Sequence, residues 1–203
     1  MFSRVKSFID RNPVTPSLFF IMLVILIAQL YIATYSTALF EFMFVGQNEI
    51  SPGLLLAPLS HGAIWAHFVP NMILLFALGW SLESYLGPQN FLTFTAATAY
   101  IPTFFQIVYS AIMTGSAGTL GFSGAVYAYP PVVLCLCYRN FGGKNLGTAG
   151  YFALGVTIAI PLQIVGLLGM VFPSPLPAAD ITHTTGYLLG GGYGLILLLK
   201  SQE

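Results

Sequence analysis

The sequence predicts an all-α membrane protein of six transmembrane helices, with the N- and C-termini both cytoplasmic. Three observations carry that expectation. Of 203 residues, six are Lys or Arg and six are Asp or Glu, 6% in all, against about 25% in an ordinary soluble domain. Apolar residues make up 57% of the chain and mean hydropathy is +0.84, more than a soluble surface can hide. The few charges are also placed with a strong bias between the loops, as set out below. Together these exclude a soluble globular domain, a disordered chain and a nucleic-acid binder, which needs a basic patch. The expected surroundings are a lipid bilayer.

The elements follow in order. Apolar stretches run over about 17–39, 63–86, 91–113, 121–138, 148–172 and 181–199, each near the roughly 20 residues that cross a bilayer. The first follows a head carrying Arg4, Lys6 and Arg11. It is too long for a signal-peptide core and no small-residue cleavage site follows, so it is expected to be retained. Residues 87–90 and 139–147 are short polar connections, and 40–62 is long enough to hold structure of its own. No linker or repeat interrupts residues 1–203, which read as a single domain. Cys135 and Cys137, two apart on one helix, point about 200° from each other and are expected to face lipid or pack.

With the N-terminus inside, Arg4, Lys6, Arg11, Arg139, Lys144 and Lys200 all fall on the cytoplasmic side, and Glu41, Glu49 and Asp180 fall outside. This is the positive-inside pattern without exception.

Polar residues inside spans are costly and mark function by default. The second helix carries His67 and Asn71, four apart and on one face. The fourth opens with GFSG, placing Gly121 and Ser123 at its start, and the sixth opens with THTTG, placing His183 in its first turn. From His67 to Glu83 is 16 residues, from Ser123 to Arg139 is 16, and from His183 to Lys200 is 17. At 1.5 Å per residue, the three sites share a depth about 24–26 Å from the inner boundary. Gly186, Gly190 and Gly194 make a small-residue ridge on the sixth helix, facing Gly121, Gly124, Ala125 and Ala128 of the fourth. Such close packing lets a serine hydroxyl meet an imidazole.

The chemistry this permits is acyl transfer. A Ser123 hydroxyl needs a base, which His183 can be. The oxyanion formed needs donors, and His67, Asn71 and the Ser123 N–H qualify. Asp180, three residues before His183, is the one nearby acid, so a dyad is expected rather than a triad. Tyr127, one turn after Ser123, is placed to stack on the His183 ring.

At these residues the chain resembles the rhomboid intramembrane serine proteases, over roughly 54–199. GFSGAVYA is similar to the family's nucleophile motif, with Ser123 as nucleophile and Tyr127 beside the histidine. HFVPNM resembles its His-x-x-x-Asn, with His67 and Asn71 as oxyanion residues and Gly121 on the same oxyanion and substrate-binding side. LGWSLESYLG resembles the segment closing that helix, with Glu83 as a structural carboxylate. HTTGYLLG resembles the base motif, with His183 as base and Gly186 and Gly190 as packing glycines. The resemblance implies a rhomboid-like bundle in a prokaryotic cell membrane, its active site open to the outer side. It implies cleavage of peptide bonds in or near the transmembrane segments of membrane-protein substrates, with no metal or cofactor. The rival it leaves is a catalytically idle relative that binds membrane proteins, as in quality control. Three features depart from the family pattern. His61 stands six residues before His67 rather than five, the first outer loop has no Trp-Arg pair, and Pro70, Pro130 and Pro131 should bend their helices. Gln29, Gln106 and Gln163 are expected to bond between helices. Pro161, Gly166 and Gly169 make the fifth helix the candidate gate for lateral substrate entry.

Overall fold

The computed structural model describes residues 11–113, 118–141, 147–166 and 179–200. Arg4, Lys6, Lys144, Gly169 and the rest of 167–178 lie outside the described residues, as do the side chains of Gln163 and Asp180. Among the described residues the secondary structure is helical, with one isolated antiparallel bridge and no named strand.

Helix α1 spans Val14–Ala33. It starts three residues before the expected boundary because a distant side chain caps it. The N–H groups of Val14 and Thr15 donate to the two carboxylate oxygens of Glu83 at 2.7 and 2.8 Å. First-turn N–H groups have no partner inside a helix, and the positive end of the helix dipole favours an anion there. Glu83 is fully buried by this arrangement. The helix stops at Ala33, not at 39. Thr34 Oγ1 donates back to the Tyr31 carbonyl at 2.7 Å. Extended Ser36 then accepts the Leu39 N–H at 3.2 Å and opens α2, Thr37–Phe44. Caps written in the T-Y-S-T run thus divide one apolar stretch into two helices. Along α1, Phe20, Val24, Ile27 and Tyr31 are exposed, as a lipid-facing helix requires.

The segment 40–62 does hold structure: the end of α2, the short α3 (Gly53–Leu56) and a 3-10 turn at Ala57–Leu59. It is bound to the approach to Ser123. Gly46 and Thr119 exchange backbone hydrogen bonds of 2.8 and 3.1 Å, and the Gly121 N–H donates to the Ala57 carbonyl at 2.8 Å. Gly46 packs closely here: a Cβ would lie 2.9 Å from Ile107 Cδ1 and 3.2 Å from Ala57 Cβ, so both neighbours would have to shift.

Helix α4 runs Ile64–Leu86. It contains two widened π turns, Ile64–Phe68 and Leu75–Gly79, around a regular stretch Val69–Leu74. Pro70 explains the first. Its ring displaces the carbonyl four residues back and it has no N–H to give. Instead of a simple bend, the turn before it opens by one residue, and the Phe68 N–H reaches back five residues to Ala63 at 2.9 Å. His67 therefore sits in a π turn and Asn71 in the α-helix beyond it.

Helix α5 is Pro88–Met113, with Pro at its first turn. Helix α6, Ser123–Phe141, passes through the core, and Ala125, Val126, Ala128, Tyr129 and Val132 have no exposed surface. Pro130 and Pro131 lie inside it. Helix α7 is Gly147–Gly166 and α8 is Ala179–Leu199. Because α8 begins two residues earlier than expected, His183 sits just past its first turn. Among the described residues, three helices are long and apolar enough to cross a membrane by length and composition: Val14–Ala33, Ile64–Leu86 and Pro88–Met113.

The glycine ridge does what its spacing suggests. A Cβ on Gly186 would overlap the Gly124 carbonyl, and one on Gly190 would overlap that of Ala128. At Gly194 it would lie 3.0 Å from Cys135 Sγ and 3.2 Å from the Pro131 carbonyl oxygen. Backbone therefore touches backbone along α6 and α8. Gly124 is pinched on its other side, where a Cβ would meet the Thr98 carbonyl at 2.9 Å. The two cysteines are half-buried and unbridged. Gln106 differs from expectation. Its amide donates to Ser110 Oγ on its own helix at 2.7 Å, so this bond lies within a helix rather than between two.

Candidate active site

Ser123, His183, His67, Asn71 and Tyr127 all border one cavity of about 480 Å³, closed by Ala66, Pro70, Leu74, Gly118, Thr119, Leu120 and Thr182. Four stretches of chain supply it: the start of α4, the 118–120 approach, the first turns of α6 and the start of α8. Ser123, His183, His67, Asn71 and Tyr127 stand out in the sequence. Thr119, Leu120 and Thr182 do not, since they sit beside motifs and carry no distinctive chemistry.

Ser123 is the first residue of α6 and is mostly buried. The Ala125 and Val126 N–H groups donate to the Phe122 carbonyl at 3.1 and 3.3 Å, and the Ser123 N–H ahead of them has no helical carbonyl four residues back. Gly121 makes the entry possible. Its φ of +135° lies where side chains are disfavoured. A Cβ there would overlap His67 Nε2 and sit 3.6 Å from Ser123 Oγ. The Gly121 N–H is already given to Ala57, so this glycine contributes space rather than a donor.

His67 is oriented by a backbone donor five residues before it. The Gly62 N–H donates to His67 Nδ1 at 3.3 Å. An imidazole nitrogen that accepts carries no proton, so the proton of the neutral ring lies on Nε2, the atom that faces Gly121. Asn71 is 4% exposed, and its side-chain Nδ2 has no hydrogen-bond partner among the described residues. A buried amide donor left unspent is costly unless something arrives to accept from it.

His183 and Tyr127 stack. Their ring centroids are 4.1 Å apart and the planes differ by 12°. Flat stacking restricts rotation of the imidazole about its own axis, a restraint that an acid would supply in a triad.

His61 stands behind the cavity and is 2% exposed. Its ring meets His67 edge-on at 5.1 Å and Phe68 at 5.1 Å. The His61 backbone N–H donates to Gln29 Oε1 on α1 at 3.0 Å. Burial, with a smaller contribution from His67, pushes the His61 imidazole down to about 3. Glu83 lies 16 residues along α4 from His67 and caps α1, so its part is architectural.

Fold and cavity define a helical membrane protein with a serine and three polar partners gathered on one pocket. A family model, the rhomboid domain, matches residues 47–200. The chain belongs to the rhomboid family. No curated protein matches it.

Proposed function

We propose that this chain is an intramembrane serine protease acting on transmembrane protein substrates through a Ser123–His183 dyad. The observation that carries the reading is the meeting of Ser123, His183, His67 and Asn71 on one cavity, with the His183 ring clamped flat on Tyr127.

Ser123 Oγ attacks the scissile carbonyl carbon while His183 takes its proton. The tetrahedral oxyanion accepts hydrogen bonds from His67 Nε2–H, the Asn71 amide and the Ser123 N–H. The intermediate collapses as His183 returns the proton to the leaving amine, which leaves an ester on Ser123. Water, deprotonated by His183, attacks the ester; the bond to Ser123 Oγ then breaks as His183 passes that proton to it, which frees the acid product and restores the serine. No step calls for a metal or cofactor.

In the same reading six helices cross a prokaryotic cell membrane, both termini face the cytoplasm, and the cavity opens outward, where water can enter. The positive-inside distribution of all six basic residues supports this orientation. The idle, substrate-holding alternative is disfavoured by the presence of both Ser123 and His183 with an unspent Asn71 donor.

The test is cleavage in proteoliposomes of a reporter with a single transmembrane segment. Wild type should release the reporter, and Ser123→Ala and His183→Ala should not. Capture of the reporter without cleavage by wild type would favour the idle alternative. Equal cleavage by all three would sink the dyad.

A further inference from the structure

Helix α1 supplies no residue to the cavity wall, yet one of its side chains reaches the cavity through two consecutive peptides. Gln29 Oε1 accepts the His61 N–H at 3.0 Å, with both residues 2% exposed. The next N–H along the chain, that of Gly62, donates to His67 Nδ1 at 3.3 Å. The two donors belong to adjacent residues, so fixing the first restricts where the second can point. The His61 ring braces the turn by packing edge-on against His67 and Phe68.

The direction of the second bond matters chemically. If His67 carried its proton on Nδ1, that N–H would face the Gly62 N–H, donor against donor. Nε2 would then present a lone pair toward Gly121 and Ser123. Such a ring repels an oxyanion instead of stabilising it.

We infer that Gln29 is a positioning residue: through the His61–Gly62 backbone it holds His67 in the tautomer that donates from Nε2 into the cavity. Its effect on catalysis rests on the protease reading; its effect on the tautomer does not. Gln29 therefore does more than join two helices, because the group it holds is one residue from the His67 contact.

The chain contains three histidines. A [15N]histidine-labelled sample of the full chain in detergent micelles accordingly gives three ring-nitrogen pairs, and a His67→Ala sample identifies the one of interest. In wild type, His67 should show an unprotonated Nδ1 and a protonated Nε2. In Gln29→Leu the two nitrogens should move toward averaged positions. Turnover of the transmembrane reporter should fall about tenfold in kcat with KM little changed. Gln29→Glu keeps an acceptor oxygen and should restore both readouts. Should the leucine variant unfold, Gln29→Met, close to glutamine in shape, takes its place. A folded variant with the wild-type tautomer overturns the inference, whether or not its kcat falls. If wild type proves inactive, the protease reading fails and the tautomer alone decides the role of Gln29.

Discussion

Single atoms decide whether the cavity can work. Gly121 is the clearest case, since its φ of +135° and the overlap of any Cβ with His67 Nε2 are independent obstacles. Gly121→Ala should cost about 1–3 kcal/mol from backbone strain and displace His67. Reporter cleavage should then be lost while the far-UV helical signal is retained, and an active, normally stable variant would contradict the geometry. Glu83 is decisive in another way. Glu83→Ala leaves the Val14 and Thr15 N–H groups without acceptors and should destabilise the protein by about 3 kcal/mol, measurable as reduced resistance to unfolding in mixed micelles. His61 gives a pH dependence. Its folded-state value of about 3 lies below the ordinary 6.5, so protonation favours the unfolded chain. Its contribution is complete above about pH 6.5 and is lost as pH falls toward 3, at up to about 1.4 kcal/mol per pH unit. Melting curves between pH 7 and 5 should therefore flatten in His61→Phe relative to wild type. The residues of the site were legible in sequence because polar groups are rare in this chain and fall at one depth. The bond from Gly62 to His67 was not, because a backbone N–H carries no signature in the residue type.

Helices packed on glycine behave as paired elements. Gly186 and Gly190 bring the α8 backbone against the carbonyls of Gly124 and Ala128, which sets His183 beside the first turns of α6. Gly190→Val must force the two helices apart. It should cost about 1–3 kcal/mol of overpacking and weaken cleavage more than binding of the reporter, since the register of His183 shifts while the cavity stays open. A variant with unchanged kcat would mean that the contact does not set the dyad. This ridge could be read from i, i+4 spacing alone. The division of the first apolar stretch at Ala33 and the π turns of α4 could not be read with the same ease. Hydropathy runs unbroken through 17–39, so it takes the capping chemistry of Thr34 and Ser36 to end a helix there. Pro70 announces a disturbance but not its form, because a proline can be met by a kink or by a widened turn.

In the whole molecule a core helix, α6, is joined to a loop system from the first third of the chain. The Gly46–Thr119 bridge and the Gly121–Ala57 bond tie residues 45–59 to the approach to Ser123. That long-range pairing was invisible to local patterns, which gave only a loop long enough to fold. The proposed orientation rests on the placement of charge. With the native cysteines replaced, Glu49→Cys should react with a membrane-impermeant maleimide in intact cells, and Lys200→Cys only after permeabilisation. The reverse would invert the proposed topology. The most direct test of the central claim is the mass of peptides from protein treated with a fluorophosphonate in detergent. One phosphonyl adduct is expected, on Ser123, formed at least about 100-fold more slowly in His183→Ala. An adduct on another residue, or equal labelling of Ser123 with and without His183, would contradict it.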